Sequence, residues 1–153
     1  MIEASARAED ATSPIPVEET VTAIACAADI VVARQRGRAL AAELGFSTCD
    51  QTMIATAISE LARNILEYAT RGHIAMTLAR SDERLGVVIE ARDEGPGIPD
   101  LDKALEKGCP ISGGLGFGLP GVRRLMDEFD IASELGKGTR VTATKWQMAA
   151  ARS

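Results

Sequence analysis

Between Ser47 and about Ala69 the residues Ile54, Ile58, Leu61 and Ile65 recur at alternating spacings of four and three, which draws one aliphatic stripe along a long helix. Ser47 with Asp50 three residues later reads as an N-cap and its third-position acid, so the start is marked as well as the face. A stripe of this length needs a broad apolar surface to lie on. Two strand-like stretches, His73 to Ala79 and Leu85 to Ala91, follow directly, joined by the turn Ser81-Asp82-Glu83-Arg84, and a hairpin supplies such a surface.

The rest of the chain fits the same frame. Val17 to Cys26, rich in Val, Thr and Ile, reads as a first strand, and Asp29 is expected to cap a helix through Ile30, Ala33, Gly37, Leu40 and Leu44 that Gly45 ends. Asp100 to Lys107 is expected as a short helix, Leu119 to Glu128 as another with Pro120 in its first turn, and Ile131 to Leu135 and Thr139 to Trp146 as a closing strand pair. Gly108 to Gly118 carries too many glycines for either period and reads as a loop and candidate lid. The expectation is an α/β two-layer sandwich, a mostly antiparallel mixed sheet with helices on one face. Residues 1–16 are small and polar, ending Ser13-Pro14-Ile15-Pro16, and read as a flexible arm; 17–148 form the domain and 149–153 a tail.

Composition excludes several functions. The 153 residues hold 17 Lys and Arg against 22 Asp and Glu, a net charge of -5, the wrong sign for a protein that binds nucleic acid by neutralising phosphates. Aromatic residues are 3% of the chain, too few for base-stacking platforms. No apolar run approaches the roughly 20 residues of a membrane span, and no basic, apolar leader opens the chain. Cys26, Cys49 and Cys109 form no C-x-x-C pair and read as packing residues in a reducing, cytoplasmic setting. His73 is the one histidine; it reads as structural, and no helix presents a phosphoacceptor histidine. Arg34, Arg36 and Arg38 read as a solvated face, with a docking face for an acidic partner as the alternative. Asp127, Glu128 and Asp130 cluster near a helix C-terminus that disfavours them, which suggests a local partner or an interface.

Three segments carry chemistry. Glu60 and Asn64, four apart, project from one side of the long helix, off the stripe. Asp93-Glu94-Gly95-Pro96-Gly97 puts a carboxylate at a strand end, with glycines that let a ligand approach. Gly113-Gly114-Leu115-Gly116-Phe117-Gly118 leads into a helix, offering N–H groups and a positive dipole end to an anion such as phosphate. Two familiar motifs fail: Gly116-x-Gly118-x-x-Gly121 has no strand before it and holds Pro120, and Gly136-Lys137-Gly138-Thr139 lacks the spacing of a P-loop.

Glu60-x-x-x-Asn64, Asp93-x-Gly95-x-Gly97, Gly114-x-Gly116-x-Gly118 and Gly138-Thr139, in this order, resemble the Bergerat (GHKL) ATP-binding fold of gyrase, Hsp90, histidine kinases and MutL, over roughly Val17 to Trp146. Glu43-Leu44-Gly45-Phe46, Ser59-Glu60-Leu61-Ala62-Arg63-Asn64 and Leu119-Pro120-Gly121-Val122-Arg123-Arg124-Leu125 are similar to the RsbT-type serine/threonine kinases of bacterial stress signalling. The resemblance implies ATP and Mg²⁺, with Asn64 on the metal, Glu60 as general base and Asp93 on the adenine amino group. It further implies Gly95 and Gly97 beside the base, Gly113, Gly114, Gly116 and Gly118 on the phosphates, and Thr139 in the adenine pocket. The partners it implies are STAS-domain substrates of a stressosome-like complex and a PP2C-type phosphatase, with no nucleic acid and no membrane. The alternative is an anti-sigma factor of the same fold that sequesters a sigma factor and phosphorylates its STAS antagonist. A nucleotide-binding module without catalysis is disfavoured by the presence of both Glu60 and Asn64.

Overall fold

The computed structural model describes residues 19–105 and 118–148. The expected arm 1–16 and tail 149–153, Cys109, and the lid segment with Gly113, Gly114, Gly116 and Phe117 lie outside the described residues.

Strand β1 (Thr20–Ile24) leads into helix α1 (Ala27–Glu43), and α2 (Thr48–Ala69) follows. The Ser47 side chain accepts from the Asp50 N–H at 3.0 Å, as its sequence position requires. The start of α1 differs from expectation. Cys26 holds the N-cap position, and Asp29 stands two residues into the helix, where its carboxylate accepts from the Ala25 N–H at 2.8 Å and the Cys26 N–H at 3.2 Å. These bonds, that from Ala25 foremost, hold the Asp29 carboxyl below its ordinary value, so this bracing is present at neutral pH and fades only as acid protonates the carboxylate. Gly45 ends the helix as expected, one residue past the cap in the left-handed conformation (φ 87°).

The hairpin of β2 (Gly72–Ser81) and β3 (Arg84–Asp93) is in register from Gly72 opposite Asp93 to Ser81 opposite Arg84. A short helix α3 (Leu101–Ala104), capped by Asp100, and helix α4 (Gly118–Leu125) precede β4 (Glu128–Glu134) and β5 (Gly138–Trp146). The sheet order is β1-β2-β3-β5-β4. Every pairing among these strands is antiparallel, so the mixed sheet of the sequence reading is corrected. β1, β3 and β4 run one way and β2 and β5 the other, so β5 keeps β3 apart from β4.

The stripe residues Ile54, Ile58, Leu61 and Ile65 are buried in one core with Ile74, Met76, Val87, Ile89, Ala91, Val141 and Ala143 of the sheet. At about 25 cal/mol per Å² of apolar surface removed from water, this layer is the main favourable term. The helix expected over Leu119 to Glu128 stops at Leu125. The Asp127 N–H donates to the Thr144 carbonyl of β5 at 2.8 Å, which draws the chain out of the helix and makes Glu128 the first residue of β4.

The acidic cluster does find local partners. Asp127 accepts from the Trp146 N–H and Glu128 from the indole N–H, both at 2.7 Å. Arg36 and Arg38 are tethers: Arg36 donates to the Val21 carbonyl and the Thr22 hydroxyl of the edge strand, and Arg38 to Thr52. Cys26 and Cys49 are exposed at the starts of α1 and α2, contrary to the packing role expected of them. Both sit where helices begin, away from the stripe that defines the core.

Candidate functional site

The site is built where the C-terminal half of α2 crosses the ends of β3 and β5. Asn64, Asp93 and Thr139 line one narrow cleft, with Leu61, Ile65, Tyr68, Ala91, Ile98, Leu119 and Val141 as its largely apolar walls. Three residues read as site candidates on separate segments are thus brought together. A slot with apolar walls and a few polar groups at fixed positions suits a flat heterocycle with a polar edge.

Asp93 is the last residue of β3, placed by pairing on both sides: Gly72 in β2 and Thr139 in β5. Its Oδ1 accepts from the Gly95 N–H at 2.9 Å, which turns the chain sharply after the strand. Oδ2 has no bonded partner among the described residues, so one carboxylate oxygen is committed to the fold and the other is open.

The glycines around it answer first to protein packing. A Cβ on Gly95 would lie 2.5 Å from the Ala69 Cβ, and one on Gly97, where φ is 86°, would lie 2.7 Å from the Glu134 carbonyl. A Cβ on Gly138, where φ is 123°, would collide with the Asp93 carbonyl. The close approach read from Gly95 and Gly97 is therefore seen between protein segments, α2 and the β4–β5 turn, closing around the Asp93 turn. Gly118 opens α4 with φ 47°, and its neighbour Leu119 reaches the cleft.

Thr139 belongs to a small network. Its hydroxyl lies 2.9 Å from that of Ser133 on β4, and Ser133 accepts from the Ile98 N–H at 2.7 Å. Ser133 was not among the sequence candidates. It stands in a run, Glu128 to Glu134, without glycine or a paired carboxylate, and only the cross-strand register of Ser133 with Thr139 reveals it. A Ser133→Ala variant removes both contacts and is expected to weaken nucleotide binding about tenfold, the loss of roughly one hydrogen bond's net worth. Calorimetry on the folded variant checks this, and unchanged affinity would leave Ser133 a purely structural bridge.

On α2, the Asn64 Nδ2 is sealed from water without a hydrogen-bond partner, the one such side-chain atom among the described residues. An orphaned amide costs about 1–3 kcal/mol, a cost that a ligand oxygen would relieve. Glu60, one turn earlier, lies outside the cleft lining and is only 3% exposed. The sequence put it off the buried stripe. The buried arc of α2 is wider than the stripe because α1 and α4 flank it while the sheet lies beneath. Arg63 Nη1 approaches the Glu60 carboxylate at 3.2 Å.

The donor set bears on a metal. No group of three or more His, Cys, Asp or Glu able to hold a cation occurs among the described residues. Mg²⁺ takes oxygen ligands, so the Asn64 amide would offer it Oδ1, with most of the other ligands coming from phosphates and water, while the orphaned Nδ2 is a donor that suits a ligand oxygen. His73 sits on β2 between Ala23 and Arg92 in the sheet. No helix among the described residues is long and apolar enough to cross a membrane.

The model of the histidine kinase-like ATPase domain matches residues 24–145. The serine/threonine-protein kinase RsbT of Bacillus subtilis is 57% identical over 118 residues, 77% of this chain and 89% of that protein. The anti-sigma F factor of Caldanaerobacter subterraneus is 33% identical over 119 residues, 71% of this chain and 78% of that protein. Among solved structures, the RsbU and RsbW domains of a Mycobacterium tuberculosis protein superpose with a TM-score of 0.57 at 23% identity, over 90% of this chain and 34% of that one. This chain spans about a third of that protein, and the likeness speaks for the fold.

Proposed function

The chain belongs to the histidine kinase-like ATPase family and, within it, to the RsbT-type serine/threonine-protein kinases, and from that premise we propose that it transfers the γ-phosphoryl group of ATP to a hydroxyl of a STAS-domain protein in a cytoplasmic stress-signalling module. Released from that substrate, the kinase then binds and activates a PP2C-type phosphatase. The observation that carries the reading is the convergence of Asn64, Asp93 and Thr139 on one apolar-walled cleft. The greater identity to the kinase, 57% against 33%, favours it over the anti-sigma factor reading.

In this reading the open oxygen of Asp93 accepts from the adenine amino group, with Thr139 beside it and Gly95 and Gly97 shaping the turn. Asn64 would hold Mg²⁺ through its Oδ1, and Gly113, Gly114, Gly116 and Gly118 would give N–H groups to the phosphates. Such a metal would supply charge neutralisation on the transferring group, and positioning by the chain's own residues does most of the rest. Glu60 takes the proton of the attacking hydroxyl as the new O–P bond forms and the bond to the ADP oxygen breaks.

Incubation with γ-labelled ATP, Mg²⁺ and a purified STAS-domain acceptor tests the proposal. Label on serine or threonine of the acceptor is expected, and its absence with ATP bound would reject it. Retention of a sigma factor in place of a phosphatase would turn the assignment to the alternative. Asn64→Ala is expected to raise the Mg²⁺ concentration needed for half-maximal transfer, since it deletes the one proposed protein ligand. An unchanged Mg²⁺ requirement would remove Asn64 from the metal.

A further inference from the structure

Glu60 is buried to 3% exposure on a helix whose neighbouring buried positions are Ala57, Ile58, Leu61 and Ala62. A carboxylate in such surroundings is costly unless paired. Its partner is Arg63, whose Nη1 stands 3.2 Å from Oε2, one turn along the same helix. The Arg63 side chain is 32% exposed, so the guanidinium reaches the buried oxygen while its remaining donors meet water. Oε1 has no bonded partner among the described residues.

We propose that Arg63 is a positioning residue of the phosphoryl transfer: by holding Oε2 it anchors the Glu60 carboxylate and leaves Oε1 to meet the acceptor hydroxyl. This rests on the reading of Glu60 as the group that takes the proton. A glutamate side chain has three torsions, and the neighbouring buried positions on its helix, Ala57, Ile58, Leu61 and Ala62, are apolar and cannot orient it. The guanidinium is planar and prearranged, so it sets the direction of the carboxylate as well as balancing its charge. The 3-residue spacing on one helix makes the pair independent of how the flanking segments sit. Asn64 is the next residue, so one turn of helix presents the base, its holder and the proposed metal ligand together.

A double-mutant cycle in the full chain tests this. Arg63→Met keeps length and removes charge, Arg63→Lys keeps charge and removes the fork, and each is measured alone and with Glu60→Gln. Transfer from γ-labelled ATP to a STAS-domain acceptor is read alongside phosphate release to water, which needs no acceptor. Arg63→Met is expected to lower kcat about tenfold with the KM for ATP changed less than about twofold, and Arg63→Lys to recover part of the loss. Glu60→Gln combined with Arg63→Met should be no slower than Glu60→Gln alone, because the holder has nothing left to hold. If the two losses multiply, or if Arg63→Met raises the KM for ATP at unchanged kcat, Arg63 acts on something other than Glu60 and the inference falls. Wild-type kcat in Glu60→Gln would instead overturn the reading of Glu60 itself, and with it this proposal. Should Arg63→Met fail to fold, Arg63→Gln carries the same comparison.

Discussion

Glu60→Gln is expected to lower the rate of phosphoryl transfer by about 10²-fold or more while leaving ATP affinity largely intact. The substitution keeps the shape of a side chain that is 3% exposed, and its carbonyl oxygen still accepts from Arg63. Arg63 is not stranded, since a third of it already meets solvent. The fold therefore has little reason to change, and Glu60 lies outside the lining of the cleft where the base would sit. What the amide cannot do is take a proton, so the loss falls on the transition state and on kcat. Single-turnover transfer at saturating ATP gives the answer, and full activity there would sink the assignment.

Asp93→Asn is expected to weaken ATP binding by about 10²-fold, for a reason visible in the turn after β3. Oδ1 is already committed to the Gly95 N–H. An asparagine that keeps this bond must turn its NH₂ toward the cleft, where the adenine amino group also donates. Two donors then face each other in a narrow apolar slot, and an acceptor bond worth about 1.5–3 kcal/mol is lost. The alternative rotamer saves the ligand bond but strips the turn of its own. Calorimetry on a variant with an unchanged melting temperature checks the claim, and wild-type affinity would take Asp93 out of the base pocket.

The elements that were legible in the sequence are those in which local chemistry and long-range packing ask for the same residue. Ser47 caps α2 because its hydroxyl has a single N–H to reach, and the aliphatic spacing marks the buried face whatever covers it. The hairpin is likewise announced by its own turn. Asp93 is recognisable because a carboxylate stands at a strand end before glycines, whereas Asn64 and Thr139 gain their roles from the order of motifs that the resemblance supplies, and only the fold shows that the three share a cleft.

What was missed was decided by partners remote in sequence. Asp29 suits an N-cap as well as the position two residues into the helix, and the letters alone do not distinguish them. Val122, Leu125, Met126 and Phe129 continue a helical spacing, so nothing nearby announces that Asp127 will be drawn to Thr144 and Trp146. The burial of Glu60 depends on two flanking helices, and the position of Ser133 beside Thr139 on a pairing that no periodicity encodes.

The strand made last, β5, does not close the sheet at its rim but enters between β3 and β4, bringing Thr139 and Val141 into the cleft. A nascent chain still short of those residues has the long helix and the central hairpin, yet no pocket for a base. The contacts that complete the pocket join Asn64 and Asp93 to Thr139 of the last strand, and closing a loop of that length has an entropic cost. A cleft with this lining therefore requires the last strand to be in place. A ligand bound across the cleft would act as a clamp on the inserted strand, adding to the stability of the folded chain by mass action.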